Sequence, residues 1–248
     1  MRRLLAACVG AAACGHVDFG DRVPPEASSF DASAQSIEWV GPFASRASPV
    51  GTSDTFAAQA AAADDVVLLL ATCIATSVAN VPDGVTLAAP GWSFTQLTPL
   101  EVQDMGEAAA FGAIAPDTSP TEITVTWSSP CDAQPDEIGD EFSGVDPSGG
   151  SVTFDAATPG IGTGDCVTSL TTGHTGDALW AACSTGGTLS ATGAGFRLGS
   201  EDDGDSWAEY RLSTDPAGTA ETIEFTNSND FAMAAVALKP RRRRVVAN

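Results

Sequence analysis

Apolar and polar residues alternate with a period of two along much of this chain. Ile123-Thr124-Val125-Thr126-Trp127 and Ile223-Glu224-Phe225-Thr226 keep that rhythm, as strands with one buried face do. Val66 to Leu70 and Phe231 to Leu238 are continuously apolar, the pattern of strands buried on both faces. Turn signals separate the runs: Pro82-Asp83-Gly84, Pro90-Gly91, Pro116-Asp117, Asp146-Pro147, Gly176-Asp177 and Asp215-Pro216. No segment carries a sustained helical stripe with caps. The alanine run Ala57 to Ala63 alone argues for helix by propensity, and its length allows one turn. The pattern predicts an all-β protein, a two-layer antiparallel β-sandwich of jelly-roll-like form.

The same pattern occurs twice. Asp65-Val66-Val67-Leu68-Leu69-Leu70-Ala71-Thr72-Cys73 is echoed by Asp177-Ala178-Leu179-Trp180-Ala181-Ala182-Cys183. Gly91-Trp92-Ser93-Phe94 returns as Gly195-Phe196-Arg197-Leu198. Gly106-Glu107, Ile114, Asp117 and Ile123 to Thr126 return in order as Gly204-Asp205, Leu212, Asp215 and Ile223 to Thr226. Each half then closes on an apolar segment, Phe142 to Pro147 and Val236 to Pro240. These echoes predict an internally duplicated unit, 39–147 and 151–240, within a folded region 39–240.

Composition narrows the partners. The chain has 248 residues, with 32 acids against 11 bases. Six of those bases lie at the ends, so the body is near −27, which repels phosphate and excludes nucleic acid as the main partner. Residues 1–14 read as a signal segment, with cationic Arg2 and Arg3, an apolar run from Leu4 to Ala13, and Ala11-Ala12-Ala13-Cys14. This end resembles the lipobox of bacterial lipoproteins, which implies acylation at Cys14, although Ala11 stands where such motifs carry Leu. Simple cleavage after Ala13, and an uncleaved or misassigned start, are the alternatives. Residues 15–38 read as an acidic tether or an unstructured leader. Residues 241–248 form a basic tail, Arg241 to Arg244, either solvated or docked on an anionic surface. The expectation is an exported protein of the cell envelope or outer surface, lipid-anchored or secreted.

Trp39-Val40-Gly41, Asp65 to Leu70, Pro90-Gly91-Trp92, Gly144 to Pro147 and Ala237 to Pro240 together carry a resemblance. Over about 200 residues the chain resembles a family of uncharacterised secreted β-sandwich proteins of high-GC bacteria, myxobacteria and actinobacteria among them, and of some phages. The family usually has Gly before the first Asp, where this chain has Asp64. The resemblance implies a fold and no activity.

Chemistry is sparse. Beyond Cys8 and Cys14 there are four cysteines, an even number that suits an oxidising compartment. A hairpin folded about Gly173 to Gly176 would set Cys166 opposite Cys183, leaving Cys73 to pair with Cys131. No Cys-x-x-Cys occurs, so zinc is set aside. His174, in a turn, is the one histidine of the folded region. Glu201-Asp202-Asp203-Gly204-Asp205 offers hard oxygen ligands for calcium, or is a solvated acidic turn. Asp136-Glu137 and Asp140-Glu141 leave a carboxylate-dependent glycoside hydrolase formally open. Trp92 and Trp207 could be core or, if exposed, could stack on a sugar ring. The reading is a non-catalytic cell-surface module, adhesive or glycan-binding, meeting the membrane only through its lipid anchor. The alternative is a structural coat or envelope component.

Overall fold

The computed structural model describes residues 35–77, 81–103, 106–132, 134–147, 154–202, 205–212, 215–227 and 229–241. The signal segment, Cys14, nearly all of the tether, Asp203 and residues 242–248 lie outside them.

Among the described residues every regular element is a strand. The first half supplies β1 (Glu38–Ala47), β2 (Gly51–Ala58), β3 (Val66–Ile74), β4 (Val85–Ala88), β5 (Thr95–Gln96), β6 (Glu101–Gln103), β7 (Gly106–Ile114), β8 (Thr121–Cys131) and β9 (Gln134–Ser143). The second supplies β10 (Phe154–Thr163), β11 (Cys166–Thr171), β12 (Ala178–Thr185), β13 (Arg197–Asp202), β14 (Ser206–Leu212), β15 (Ala220–Phe225) and β16 (Asp230–Leu238). All pairings are antiparallel. The alanine run 57–63 ends β2 and enters a turn, with no helix.

Strand order follows one plan in both halves. The large sheets run β1-β9-β3-β7-β5, with β6 also on β7, and β10-β16-β12-β14-β13. In each, the first strand pairs with the last and the last with the third. The second and penultimate strands form the small sheets, β2-β8-β4 and β11-β15. The chain crosses to the small sheet and back at β1-β2-β3 and β7-β8-β9, and likewise at β10-β11-β12 and β14-β15-β16, as in a jelly roll. Each half is a two-layer sandwich of its own, and the two are stacked through their large sheets. β1 lies against β13 and β14, β10 against β6 and β7, and β16 against β3 and β7. The sheets therefore meet in reversed order, as two copies about a two-fold axis would.

Three apolar clusters fill the gaps between the four layers. Val67, Leu69, Phe111, Ile123, Val125 and Trp127 fill the first sandwich, and Leu179, Leu189, Ile223, Phe225 and Met233 the second. Val66, Leu68, Leu70, Ile138, Phe142, Trp180, Val236 and Leu238 fill the seam between them. Alternation puts successive residues of β3, β12 and β16 into different clusters. This explains why β3 and β16 read as continuous apolar runs: both of their faces are covered.

The cysteines pair as expected, Cys73–Cys131 with Cα atoms 5.8 Å apart and Cys166–Cys183 at 6.5 Å. The expected reason for the second pair is wrong. β11 and β12 are not a hairpin: β11 pairs with β15, and β12 with β14 and β16. Each disulfide instead ties the large sheet of its half to the small one. No helix among the described residues is long and apolar enough to cross a membrane.

Candidate functional site

Trp92 sits in the connection between β4 and β5. Ala89-Pro90-Gly91-Trp92 is a tight turn, closed by the Trp92 N–H donating to the Ala89 carbonyl at 3.2 Å. Pro90 sets the first corner and Gly91 takes the second at φ +79°, a conformation glycine adopts without strain. The Trp92 ring is half-buried. It stacks on Phe94, with centroids 5.8 Å apart and planes 10° from parallel, and leans on Phe43 at 5.7 Å. Those contacts fix the ring against the first sandwich's core.

Beside it lies an open groove of about 360 Å³, formed by Pro90, Gly91 and Trp92 on one side and the β7–β8 connection on the other. Pro116, Pro120 and Thr121 shape the second wall, and Asp117 and Glu122 add two exposed carboxylates. One Asp117 oxygen accepts the Ser119 N–H at 2.7 Å, which orients the carboxylate. A larger hollow, about 500 Å³, lies between β1 and the turn after β2, with Glu141 among its lining residues. That carboxylate is already held by the Ala61 N–H at 2.8 Å and shares a hydrogen bond with Asp65. Burial pushes both acids of the pair up. No aromatic ring lines this hollow.

Trp207 is elsewhere, in β14 of the second sandwich, half-buried against its core and opposite Cys183 in register. The structure does not bring Trp92 and Trp207 together. Glu201 and Asp202 end β13, and Asp205 follows, its N–H donating to the Asp202 carbonyl at 3.2 Å. This turn rests on the seam, where the Ser45 hydroxyl donates to the Glu201 carbonyl. Asp203 and Gly204 lie outside the described residues, and among those described no three acidic, histidine or cysteine side chains form a metal-binding group.

The paired carboxylates of β9 occupy a place the sequence reading missed. Neighbours on a strand face opposite ways, so neither Asp136 and Glu137 nor Asp140 and Glu141 share a site. All four are buried. Asp140 faces the seam, where it accepts Trp39 Nε1 at 3.0 Å, Trp180 Nε1 at 2.9 Å and the Ser200 hydroxyl at 2.8 Å. Gly199 lets it in: a Cβ there would stand 2.5 Å from an Asp140 oxygen. Asp136 accepts the hydroxyls of Ser184 at 2.5 Å and Ser206 at 2.9 Å, both from the second half. Burial raises Asp140, against the pull of its three donors, and raises Asp136 to about 6. Glu137, held by the Ser48 hydroxyl, is raised by burial to about 7.

Outside β9, two more buried acids are raised well above the ordinary carboxylate range. Burial pushes Glu209 to about 7, with its carboxylate accepting the Gly193 N–H at 2.7 Å, and pushes Glu107 to about 8. Comparison with family models, curated proteins and solved structures finds no match.

Proposed function

We propose that this protein is an exported, non-catalytic surface module that binds a glycan in the Trp92 groove. One observation carries the reading: a half-exposed Trp92, held rigid by Phe94 and Phe43, faces an open groove with carboxylates on its far wall. A fixed indole face suits the C–H face of a sugar ring, and carboxylates accept hydroxyl hydrogen bonds. The jelly-roll order is neutral here, because that fold hosts lectins and coats alike. A coat component is the second reading, but it calls for an uncovered apolar sheet face. The exposed large apolar residues Val40, Val50, Val167, Leu198 and Leu212 are instead spread over three sheets and a turn.

The two inter-layer disulfides fit an oxidising, extracellular environment. Anchorage through an acylated Cys14, with residues 15–38 as spacer, completes the proposal, and metabolic fatty-acid labelling of wild type against Cys14→Ala tests it. The matching strand orders support descent of both halves from one duplicated unit. Glycan-array binding by the full chain, lost in Trp92→Ala with the melting temperature kept, is the expected result. An array with no binder sinks the glycan reading.

A further inference from the structure

Resting on the glycan reading, we infer that the Trp92 groove selects amino sugars, hexosamines with a free protonated amine, over N-acetylated or acidic sugars. The charged groups lining the groove are Asp117 and Glu122, both exposed, and no lysine or arginine lines it. Three of the four basic side chains of the folded body are paired with acids elsewhere, and the fourth, Arg197, lies in β13 of the other sandwich. Arg46 pairs with Asp54 at 2.5 Å, Arg211 with Glu221, and Lys239 with Asp146 at 3.6 Å. Within a chain of net charge −21 the groove is a site of negative potential. A uronate or sialic-type acid would enter against two carboxylates; an ammonium would enter toward them.

The geometry separates a sugar from other cations. Phe43 and Phe94 support Trp92 from the core and do not line the groove, so one aromatic face is presented. A caged quaternary ammonium needs several aromatic walls. One flat face with acids opposite suits a pyranose ring that stacks through its C–H bonds and carries its cation at the rim. The indole face attracts positive charge as well. At about 360 Å³ the site is at the small end of ligand pockets, room for a ring or two.

Calorimetric titration of the full chain with a glucosamine disaccharide, its N,N′-diacetyl form and a glucuronate disaccharide tests the inference. The expected order is free amine at least tenfold tighter than diacetyl, with no glucuronate binding. In an Asp117→Asn, Glu122→Gln double variant the preference should collapse toward one. A remote control, Glu38→Gln with Glu224→Gln, changes the net charge equally and should keep it. Equal binding of the acetylated sugar overturns the selectivity but leaves the groove standing, provided Trp92→Ala abolishes both. So does a preference that the double variant retains or the remote control loses, since that means diffuse attraction to an acidic body. If no saccharide binds here or on the array, the groove reading falls with it.

Discussion

β9 and β16 hold the same place in their two halves, and they are built from opposite materials. Each is the last strand of its half, paired between the first and third strands. Register through β3 and β12 aligns Phe142 with Leu238, so Asp136, Ile138 and Asp140 match Ala232, Ala234 and Val236 along the seam. β16 meets the seam with hydrocarbon alone. β9 meets it with two carboxyl groups, whose donors are Trp39 and, from the second half, Trp180, Ser184, Ser200 and Ser206. A buried strand can therefore be acid-rich if the layer opposite is rich in hydroxyl and indole donors. The strand and its partners depend on one another, since a buried carboxyl is costly where donors do not meet it.

The sharpest break of that comparison exchanges the two designs. Val236→Asp puts a carboxyl into the β16 position, where the seam supplies hydrocarbon neighbours. An unpaired buried charge exceeds the whole stability margin of most domains, so the variant should fail to accumulate folded, read by circular dichroism. Asp140→Ala makes the converse error, stranding Trp39 Nε1, Trp180 Nε1 and Ser200 Oγ. It should lower unfolding free energy by about 3–5 kcal/mol in urea titration. A loss under about 1 kcal/mol would mean that Asp140 is not the pin described.

This pair also shows what the amino-acid pattern could reveal. β16 was legible because Phe231 to Leu238 is a continuous apolar run, β3 for the same reason, and β15 by its period-two alternation. β9 was not. Gln134 to Glu141 has no hydrophobic rhythm, and its burial depends on donors 40 to 70 residues away in sequence. Its acids carry the pattern of candidate catalytic pairs, and the apolar pattern marks the closing strand of the first half only from Phe142. The cysteine pairs were legible by count, yet through a hairpin that does not exist, because local spacing cannot tell a hairpin from a crossing between layers. Trp92 was legible as a turn aromatic. The groove beside it was not, since its other wall comes from Pro116 to Glu122, across the β7–β8 connection.

The acid-rich half should also impose a pH dependence. Glu137 is raised by burial from 4.5 to about 7 in the fold, whereas in the unfolded chain it ionises near the ordinary value. Between those values the unfolded state loses its proton and the folded state keeps it, so stability falls as pH rises from about 4.5 to about 7, then levels. At about 1.4 kcal/mol for each tenfold change, Glu137 alone accounts for roughly 3 kcal/mol. Asp136, raised to about 6, and Glu107, raised to about 8, act in the same direction. Urea midpoints should therefore drop between pH 5 and pH 8, with a shallower drop in Glu137→Gln. A midpoint that rises with pH would mean these carboxyls are ionised and well solvated.

The smallest expected effect compares the staples of the two sandwiches. Both disulfides join a large sheet to its small one, but Cys73–Cys131 spans 58 residues and Cys166–Cys183 only 17. If a cross-link acts by limiting the unfolded chain, the longer loop contributes about 4 kcal/mol and the shorter about 3. Replacing each pair by serines in turn should then cost the first half more, by about 1 kcal/mol in denaturant unfolding. The difference is more informative than either loss, because all four sulfurs are buried and the desolvation penalty of the new hydroxyls is shared by both variants. An equal or reversed order would place the advantage in packing between the layers, and the shorter staple would then be the stronger restraint on its sandwich.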